Sequence, residues 1–440
     1  MLPLCLAENP VVQTNFTADP APMVYKGTVY LYTSHDEDDG RGFHMLNWKL
    51  YSSTDLANWT DHGTIASLAT FPWALQSNNA WAPQAVERNG KFYLYVPIIV
   101  AARPDRVIAF AVADSPSGPF KDALGHPLIA PSDGTIDPTV FVDDDGQAYL
   151  YWGNPDLWYV KLNKDMISYS GEIVRVVSKP ENYQEGPWFY KRNGKYYMAY
   201  ASRCCPEGIG YAMSGSPTGP WEYKGMIMDP DSRSSGNHPG IVDFKGASYV
   251  FGFNYKLNFS LTDVHRERRS VCAAGFTYNP DGTIPTQPWW NEEGVAQVGT
   301  LNPFVRTEAE TIAWTSSTQT GAWAFGVRTA QDDKTGVYVT HILNGSYIKL
   351  RGVGFGPNPA RRFTARVASG SNGGAIELRA DSLNGPVIGS LKILPTGGWD
   401  KWQLLTTSVS GAQGTHDLYF VFRGRGAGEL FNFDYWKFEK

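Results

Sequence analysis

Thr135–Asn154 reads TIDPTVFVDDDGQAYLYWGN. An acid and a proline, Asp137-Pro138, precede a short apolar strand, Val140–Val142. A polar turn, Asp143–Gly146, leads into an aromatic return strand, Ala148–Trp152. Asp and Gly between alternating apolar runs are a strong hairpin signal. The unit recurs as MVYKGTVYLY (Met23–Tyr32), VERNGKFYLY (Val86–Tyr95), FYKRNGKYYMAY (Phe189–Tyr200) and IVDFKGASYVF (Ile241–Phe251). The turn glycines Gly27, Gly90, Gly146, Gly194 and Gly246 follow one another at intervals of 48 to 63 residues. A period near fifty, carried by strands with no helical stripe, predicts an all-β fold built as a five-bladed β-propeller.

Each hairpin has a characteristic lead-in. Asp19-Pro20 precedes the first, Trp81-Ala82-Pro83 the second, Asp137-Pro138 the third, Glu185-Gly186-Pro187 the fourth and His238-Pro239 the fifth. Equivalent positions of propeller blades surround one axis. The repeat therefore predicts two aspartates, a glutamate, a tryptophan and a histidine at one mouth. His35, in the acidic loop after the first hairpin, is expected at its rim. Asp143–Asp145 reads as a plain hairpin turn, not a calcium loop, because the other repeats turn at the same place.

The repeat stops near Thr283, and the texture then changes to short alternating strands rich in glycine. The expected division is a propeller domain over 1–296, a linker over 297–303, and a β-sandwich (jelly-roll) domain over 304–440. Trp289-Trp290, just before the linker, favours some packing there. Net charge is −5 and the pI about 5.9, so nucleic acid has no electrostatic footprint. The longest apolar run, Phe92–Ala102, is interrupted by Pro97 and too short to span a membrane. The opening MLPLCLAENP lacks a basic n-region, which predicts a cytoplasmic protein or a secreted one whose signal peptide is absent from this sequence. Cys5, Cys204, Cys205 and Cys272 have no zinc-ligand spacing and read as unpaired thiols.

Three carboxylates at one mouth are the raw material of glycoside hydrolysis. One acid protonates the leaving oxygen and a second activates water or attacks. A third can raise the pKa of the acid by like-charge repulsion. Tryptophan at the same mouth offers a flat face to a sugar ring, and Trp81 and Trp152 are the candidates.

Residues 9–300 resemble the family 43 glycoside hydrolases, five-bladed propellers acting on xylan and arabinan side groups. The shared motifs are TADPAP (Thr17–Pro22), WAPQ (Trp81–Gln84), TIDPTVFVDDDG (Thr135–Gly146) and YQEGPWFYKRNGKYY (Tyr183–Tyr197). The resemblance implies Asp19 as general base, Glu185 as general acid, Asp137 as the residue that tunes the acid, and inversion at the anomeric centre. It implies His238 beside an axial calcium, and a substrate-contacting arginine for which Arg269 is chosen over Arg266 and Arg268. The second domain resembles a family 6 carbohydrate-binding module through Glu308-Ala309-Glu310, NGSYIKLRGVGFG (Asn344–Gly356), GGWDKW (Gly397–Trp402) and FNFDYWKFE (Phe431–Glu439). By that resemblance Glu308, Glu310 and Asp434 are calcium ligands, and Tyr338, Trp399 and Asn432 form a sugar cleft. Alternation puts Asn432 and Asp434 on one side of a regular strand, so the two sites must separate along it or Asn432 must lie in the preceding loop.

The resulting expectation is an exo-acting hydrolase that releases terminal α-L-arabinofuranosyl or β-D-xylosyl units from xylan, arabinoxylan or their oligosaccharides. A non-catalytic carbohydrate-binding propeller and an endo-arabinanase are the alternatives.

Overall fold

Four of the five hairpins turn on two residues that both have positive φ: Lys26-Gly27, Asn89-Gly90, Asn193-Gly194 and Lys245-Gly246. Such turns match the right-handed twist of the flanking strands, and glycine takes the second position without steric cost. The flanking pairs Tyr25↔Thr28, Arg88↔Lys91, Arg192↔Lys195 and Phe244↔Ala247 fix the register. The third hairpin has a longer turn, closed by the Asp143 N–H donating to the Gln147 carbonyl at 2.9 Å.

The structure, a computed structural model, describes residues 6–103, 105–129, 134–232, 234–290, 292–316 and 326–440. It is nearly all β, and its named strands pair antiparallel. Each hairpin opens one sheet. Sheet one holds Thr17–Tyr25, Thr28–His35, Asn47–Ser53 and Trp59–Ser67. Sheet two holds Gln84–Arg88, Lys91–Ile99, Arg106–Ala113 and Lys121–Asp122. Sheet three holds Thr139–Val142, Ala148–Trp152, Trp158–Leu162 and Tyr169–Arg175. Sheet four holds Tyr183–Arg192, Lys195–Ser202, Gly208–Ser214 and Glu222–Met228, and sheet five Gly240–Phe244, Ala247–Asn254 and Ser270–Phe276.

The inner strands of the sheets are buried on both faces. Along Ala148–Trp152, Leu150 and Trp152 pack with Tyr95 and Phe110 of sheet two, while Tyr149 and Tyr151 pack with Phe189 and Tyr196 of sheet four. Sheet five packs back on sheet one, with Phe251 and Val271 against Val29, Leu31 and Tyr51. The lead-in prolines Pro20, Pro83, Pro138, Pro187 and Pro239, one from each repeat, line a single narrow cavity.

After residue 300 two further sheets share one core that includes Val339, Leu350, Phe363, Leu378, Phe420 and Trp436. The segment expected as a linker is bonded on both sides. Gln297 Nε2 donates to Asp55 Oδ2 and to the Arg351 carbonyl, both at 3.0 Å, and the Leu301 N–H donates to the Gly352 carbonyl at 3.1 Å. Thr311–Ile312 pairs with the outer strand of sheet one through Thr60 and Trp59. Asn58 exchanges two hydrogen bonds with the Arg351 backbone, and Lys349 reaches Glu8 at 2.7 Å. Trp290 is buried against Gly252, as its packing tendency suggested.

Two readings need correction. Cys204 and Cys205 are joined to each other by a disulfide instead of being free thiols, because adjacent residues of one exposed turn bring their sulfurs together. Cys272 is buried and free, and Cys5 lies outside the described residues. In Asn432–Glu439 the alternation is broken: Val367 pairs with Phe433 and Arg366 with Tyr435, so Asp434 is a bulge. One extra residue re-aims a side chain, so Asn432 and Asp434 are no longer bound by strict alternation.

The seam between sheets five and one gives a test. A Cβ on Gly240 would lie 2.3 Å from Pro22 Cδ and 2.5 Å from the Pro20 carbonyl oxygen. Gly240→Ala should cost about 1–3 kcal/mol through overpacking, seen as a lowered melting temperature. An unchanged melting curve would show that this seam yields without cost.

Candidate active site

Asp19 and Asp137 hold the same unusual backbone, with φ of 51° and 58°. Non-glycine residues rarely take this left-handed conformation, and it concentrates where a side chain must be aimed. The proline that follows each stiffens the chain beyond it. Glu185 precedes Gly186, which takes φ 57° in the fourth repeat. The lead-ins thereby turn Asp19, Asp137 and Glu185 into one cavity of about 170 Å³, shared with Trp81, His238 and Arg269.

His238 is the hub. Its Nδ1 lies 3.4 Å from Asp19, and its Nε2 lies 3.7 Å from Asp137 and 3.8 Å from Glu185. Burial alone would discharge the ring, but Asp137, Asp19 and Glu185 outweigh it and raise the pKa to about 10. Arg269, 2% exposed, is the second cation. Its Nη1 donates to Asp19 at 2.8 Å and to the Gly236 carbonyl at 3.3 Å, while Nε and Nη2 grip Asp36, both at 3.1 Å. Ser34 donates a further hydrogen bond to Asp19.

The acids differ in their proton affinity. Burial, reinforced by Glu185 and Asp19 against the pull of His238, raises Asp137 to about 7. Burial also opposes ionisation of Glu185, but contacts with His238 and a hydrogen bond from Asn154 together hold its carboxyl below the usual range. Asp137 is also tied to the fourth repeat, accepting the Gly186 N–H at 3.2 Å. Behind them Glu207, 1% exposed, is raised to about 7 by burial and by Glu185, and accepts the Asn237 N–H at 2.9 Å.

Several expected contacts are corrected. Trp152 does not line the pocket: with both faces of its sheet buried, it packs into the core beside Leu150. His35 is buried beside Glu37 at 3.4 Å, away from the lining residues. Alternation explains this, because Ser34 and Asp36 on either side point to Asp19 and Arg269. Arg269 lines the pocket but spends its donors on Asp19, Asp36 and Gly236, so it anchors Asp19. Phe43, Arg106, Asn154 and Glu207 were missed. Asn154 closes the opening stretch of sequence and carried a signal; Glu207 lies outside any repeat position and carried none.

In the second unit, the buried atoms Glu310 Oε2 and Asp434 Oδ1 have no hydrogen-bond partner. Burial, then the neighbouring Glu308, Asp61 and Asp434, raise Glu310 well above the carboxylate range. Glu308 pairs with Arg306 at 2.8 Å, and Asp434 with Arg366. Orphaned carboxylate oxygens of this kind suit a hard, oxygen-loving cation. The mouth suits one less. Asp137, Glu185 and His238 offer ligand atoms within 4.8 Å of one another, but both ring nitrogens of His238 face carboxylates, and the protonated ring already supplies the positive charge. Arg366, paired with Asp434, also lies over the Trp402 ring at 4.9 Å; Trp402 meets Tyr338 edge-on at 5.3 Å, and Asn432 donates to the Trp399 carbonyl at 2.9 Å. Trp402 was the missed member of that group.

The sequence model of glycosyl hydrolases family 43 matches residues 7–284, and that of carbohydrate binding module (family 6) matches residues 308–440. An arabinoxylan arabinofuranohydrolase of Bacillus subtilis (strain 168) is 36% identical, over 98% of this chain and 92% of its own. A second, from Paenibacillus polymyxa, is 34% identical over 98% and 74%. The crystal structure of a family 43 arabinoxylan arabinofuranohydrolase from Bacillus subtilis, in complex with cellotetraose, superposes with a TM-score of 0.85 at 32% identity, covering 98% of this chain and 97% of that one. A β-xylosidase/α-arabinofuranosidase from a compost microbial metagenome, with xylotriose and in calcium-free form, gives a TM-score of 0.58 at 29% identity over 65% and 98%.

The charge balance around Arg269 is testable. Arg269→Leu leaves Asp36 and Asp19 buried with one fewer counter-charge, and should cost about 3–5 kcal/mol. Adding Asp36→Asn should recover part of the loss in the melting temperature. A double variant as unstable as the single one would mean that the packing of the arginine matters and its charge does not.

Proposed function

This chain belongs to the glycosyl hydrolases of family 43, and on that premise we propose that its pocket releases terminal pentoses from xylan, arabinoxylan or their oligosaccharides with inversion. The observation that carries the reading is the set of three carboxylates converging on one small cavity around His238. A cavity of that size takes one sugar ring, which favours removal of end groups over cutting within a chain. Two relatives matched over 98% of this chain are named arabinoxylan arabinofuranohydrolase, which favours α-L-arabinofuranosyl over β-D-xylosyl groups.

Asp19 acts as the base. Paired with Arg269 and His238, it activates a water against the anomeric carbon. Glu185 delivers the proton to the leaving oxygen. Asp19 and Glu185 face different nitrogens of the His238 ring, at 3.4 and 3.8 Å, which leaves space between them. Inverting enzymes need that room, about 6.5–9.5 Å between carboxyls against about 5–5.5 Å in retaining ones. In the free pocket Asp137 has a higher proton affinity than Glu185, because burial and the neighbouring acids raise it. A bound pentoside excludes water around Glu185 and raises its proton affinity, so Asp137 is the reservoir that tunes the acid.

Sheets one to five form the blades of a propeller over 1–296. Support comes from sheet five packing on sheet one and from the five prolines around one cavity. Residues 304–440 form a sandwich joined through 297–303. We assign calcium to this unit, with Glu308, Glu310 and Asp434 as holders; it would neutralise their buried charge. Tyr338, Trp399 and Asn432, with Trp402, form a cleft for the polysaccharide. Among the described residues no helix is long and apolar enough to cross a membrane. A unit for gripping polysaccharide and the Cys204–Cys205 disulfide favour a secreted enzyme.

NMR of the first sugar released from arabinoxylan oligosaccharides tests the mechanism. Product with inverted configuration is expected, and retained configuration would remove Asp19 from the role of base. A second test uses Asp137→Asn. The rate should fall by roughly 100-fold. The alkaline limb of kcat/KM, set near pH 7 by the last proton of the cluster, should move to lower pH, because Glu185 alone holds its proton less tightly. A near-normal rate with an unmoved limb would make Asp137 purely structural.

A further inference from the structure

Sheets one, three, four and five each bring an acid or an imidazole to the pocket. Sheet two brings Trp81 and Arg106. The expected use of Trp81 was to stack on a sugar, yet its ring is already covered. The guanidinium carbon of Arg106 lies over the indole at 5.2 Å, and Trp81 also packs against the core. Guanidinium over an indole face is an attractive contact that also fixes the orientation of the fork.

Arg106 is otherwise uncommitted. Among the described residues its side chain has no hydrogen-bond or ion-pair partner, although it is exposed and lines a cavity containing three carboxylates. Its neighbour Arg103 is paired with Asp105 at 3.3 Å, and Arg269 is fully engaged. The indole N–H of Trp81 is buried and has no acceptor. The pocket thus holds one unpaired guanidinium, Arg106, in the same cavity as the three carboxylates. A neutral pentosyl ring, whose adjacent hydroxyls accept as well as donate, fits between them.

We propose that Arg106 is the specificity-determining residue that takes two adjacent hydroxyls of the pentosyl ring, and that Trp81 is the positioning residue that holds its guanidinium. The inference rests on reading the pocket as a pentosidase site. It differs from direct stacking in a measurable way, because Trp81 would act through Arg106.

The test is a double-mutant cycle on hydrolysis of an aryl α-L-arabinofuranoside, comparing Arg106→Ala, Trp81→Ala and the double variant. It is repeated as binding of L-arabinose to Glu185→Gln carrying the same changes. Arg106→Ala should raise KM by about 10- to 100-fold, the value of a charged hydrogen-bonding group, with kcat little changed. Arg106→Lys should not restore it, since a single ammonium cannot span two hydroxyls. Trp81→Phe, which keeps an aromatic face, should recover most of the Trp81→Ala loss. The double variant should be no worse than Arg106→Ala alone. Additive losses would mean that the sugar stacks on Trp81 directly, and an unchanged KM in Arg106→Ala would also overturn the proposal. Coupled binding without hydrolysis would remove the catalytic reading and leave this one standing, whereas a wild-type chain that neither binds nor cleaves pentosides overturns both.

Discussion

Everything at the mouth depends on keeping negative charge out of water. Asp19, Asp36 and Asp137 are buried and Glu185 nearly so. Isolated, each would be too costly to ionise. Two cations, His238 and Arg269, make the arrangement tenable, and each touches more than one acid. The sharing has a chemical result. Asp19 is held by both cations, while burial and the neighbouring acids raise the proton affinity of Asp137. One cluster thereby holds carboxyl groups in different surroundings within a few ångströms, which acid–base hydrolysis requires.

The acids were legible in the sequence because they recur with the repeat. A hairpin signal appearing five times marks equivalent positions, and the left-handed backbone at Asp19 and Asp137 shows that those positions are equivalent in conformation too. What escaped the sequence were properties of faces and partners. Trp152 sits in the same stretch as Asp137, but nothing in a strand's own residues reveals that neighbours cover both sides of it. His35 was one residue from two side chains that do reach the mouth. Arg269 was identified at the pocket, while the carboxylate it grips, Asp36, is distant in the chain. The bulge at Asp434 is a one-residue event in pairing, which composition does not record.

The two units are held as one body by backbone. Thr311–Ile312 extends sheet one, and residues 297–301 are hydrogen-bonded to both sides. An outer strand is a risk when left bare, because its unpaired groups invite other chains. Here the outer strand of sheet one is paired in part by the chain's own continuation. Buried polar contacts such as Asn58 with Arg351 add direction to that docking.

Two-sided burial of the sheets constrains how such a protein can change. A substitution inside an inner strand such as Ala148–Trp152 meets a packed neighbour whichever way it points, so the body tolerates little novelty. The lead-ins and the mouth-side ends of strands have no such neighbour on their open side, and Arg106 occupies one of them. Heritable variation in substrate preference is therefore channelled to a thin ring of positions above the cavity. The same scaffold can acquire a new appetite for sugars by altering that ring while the body beneath it stays as it is.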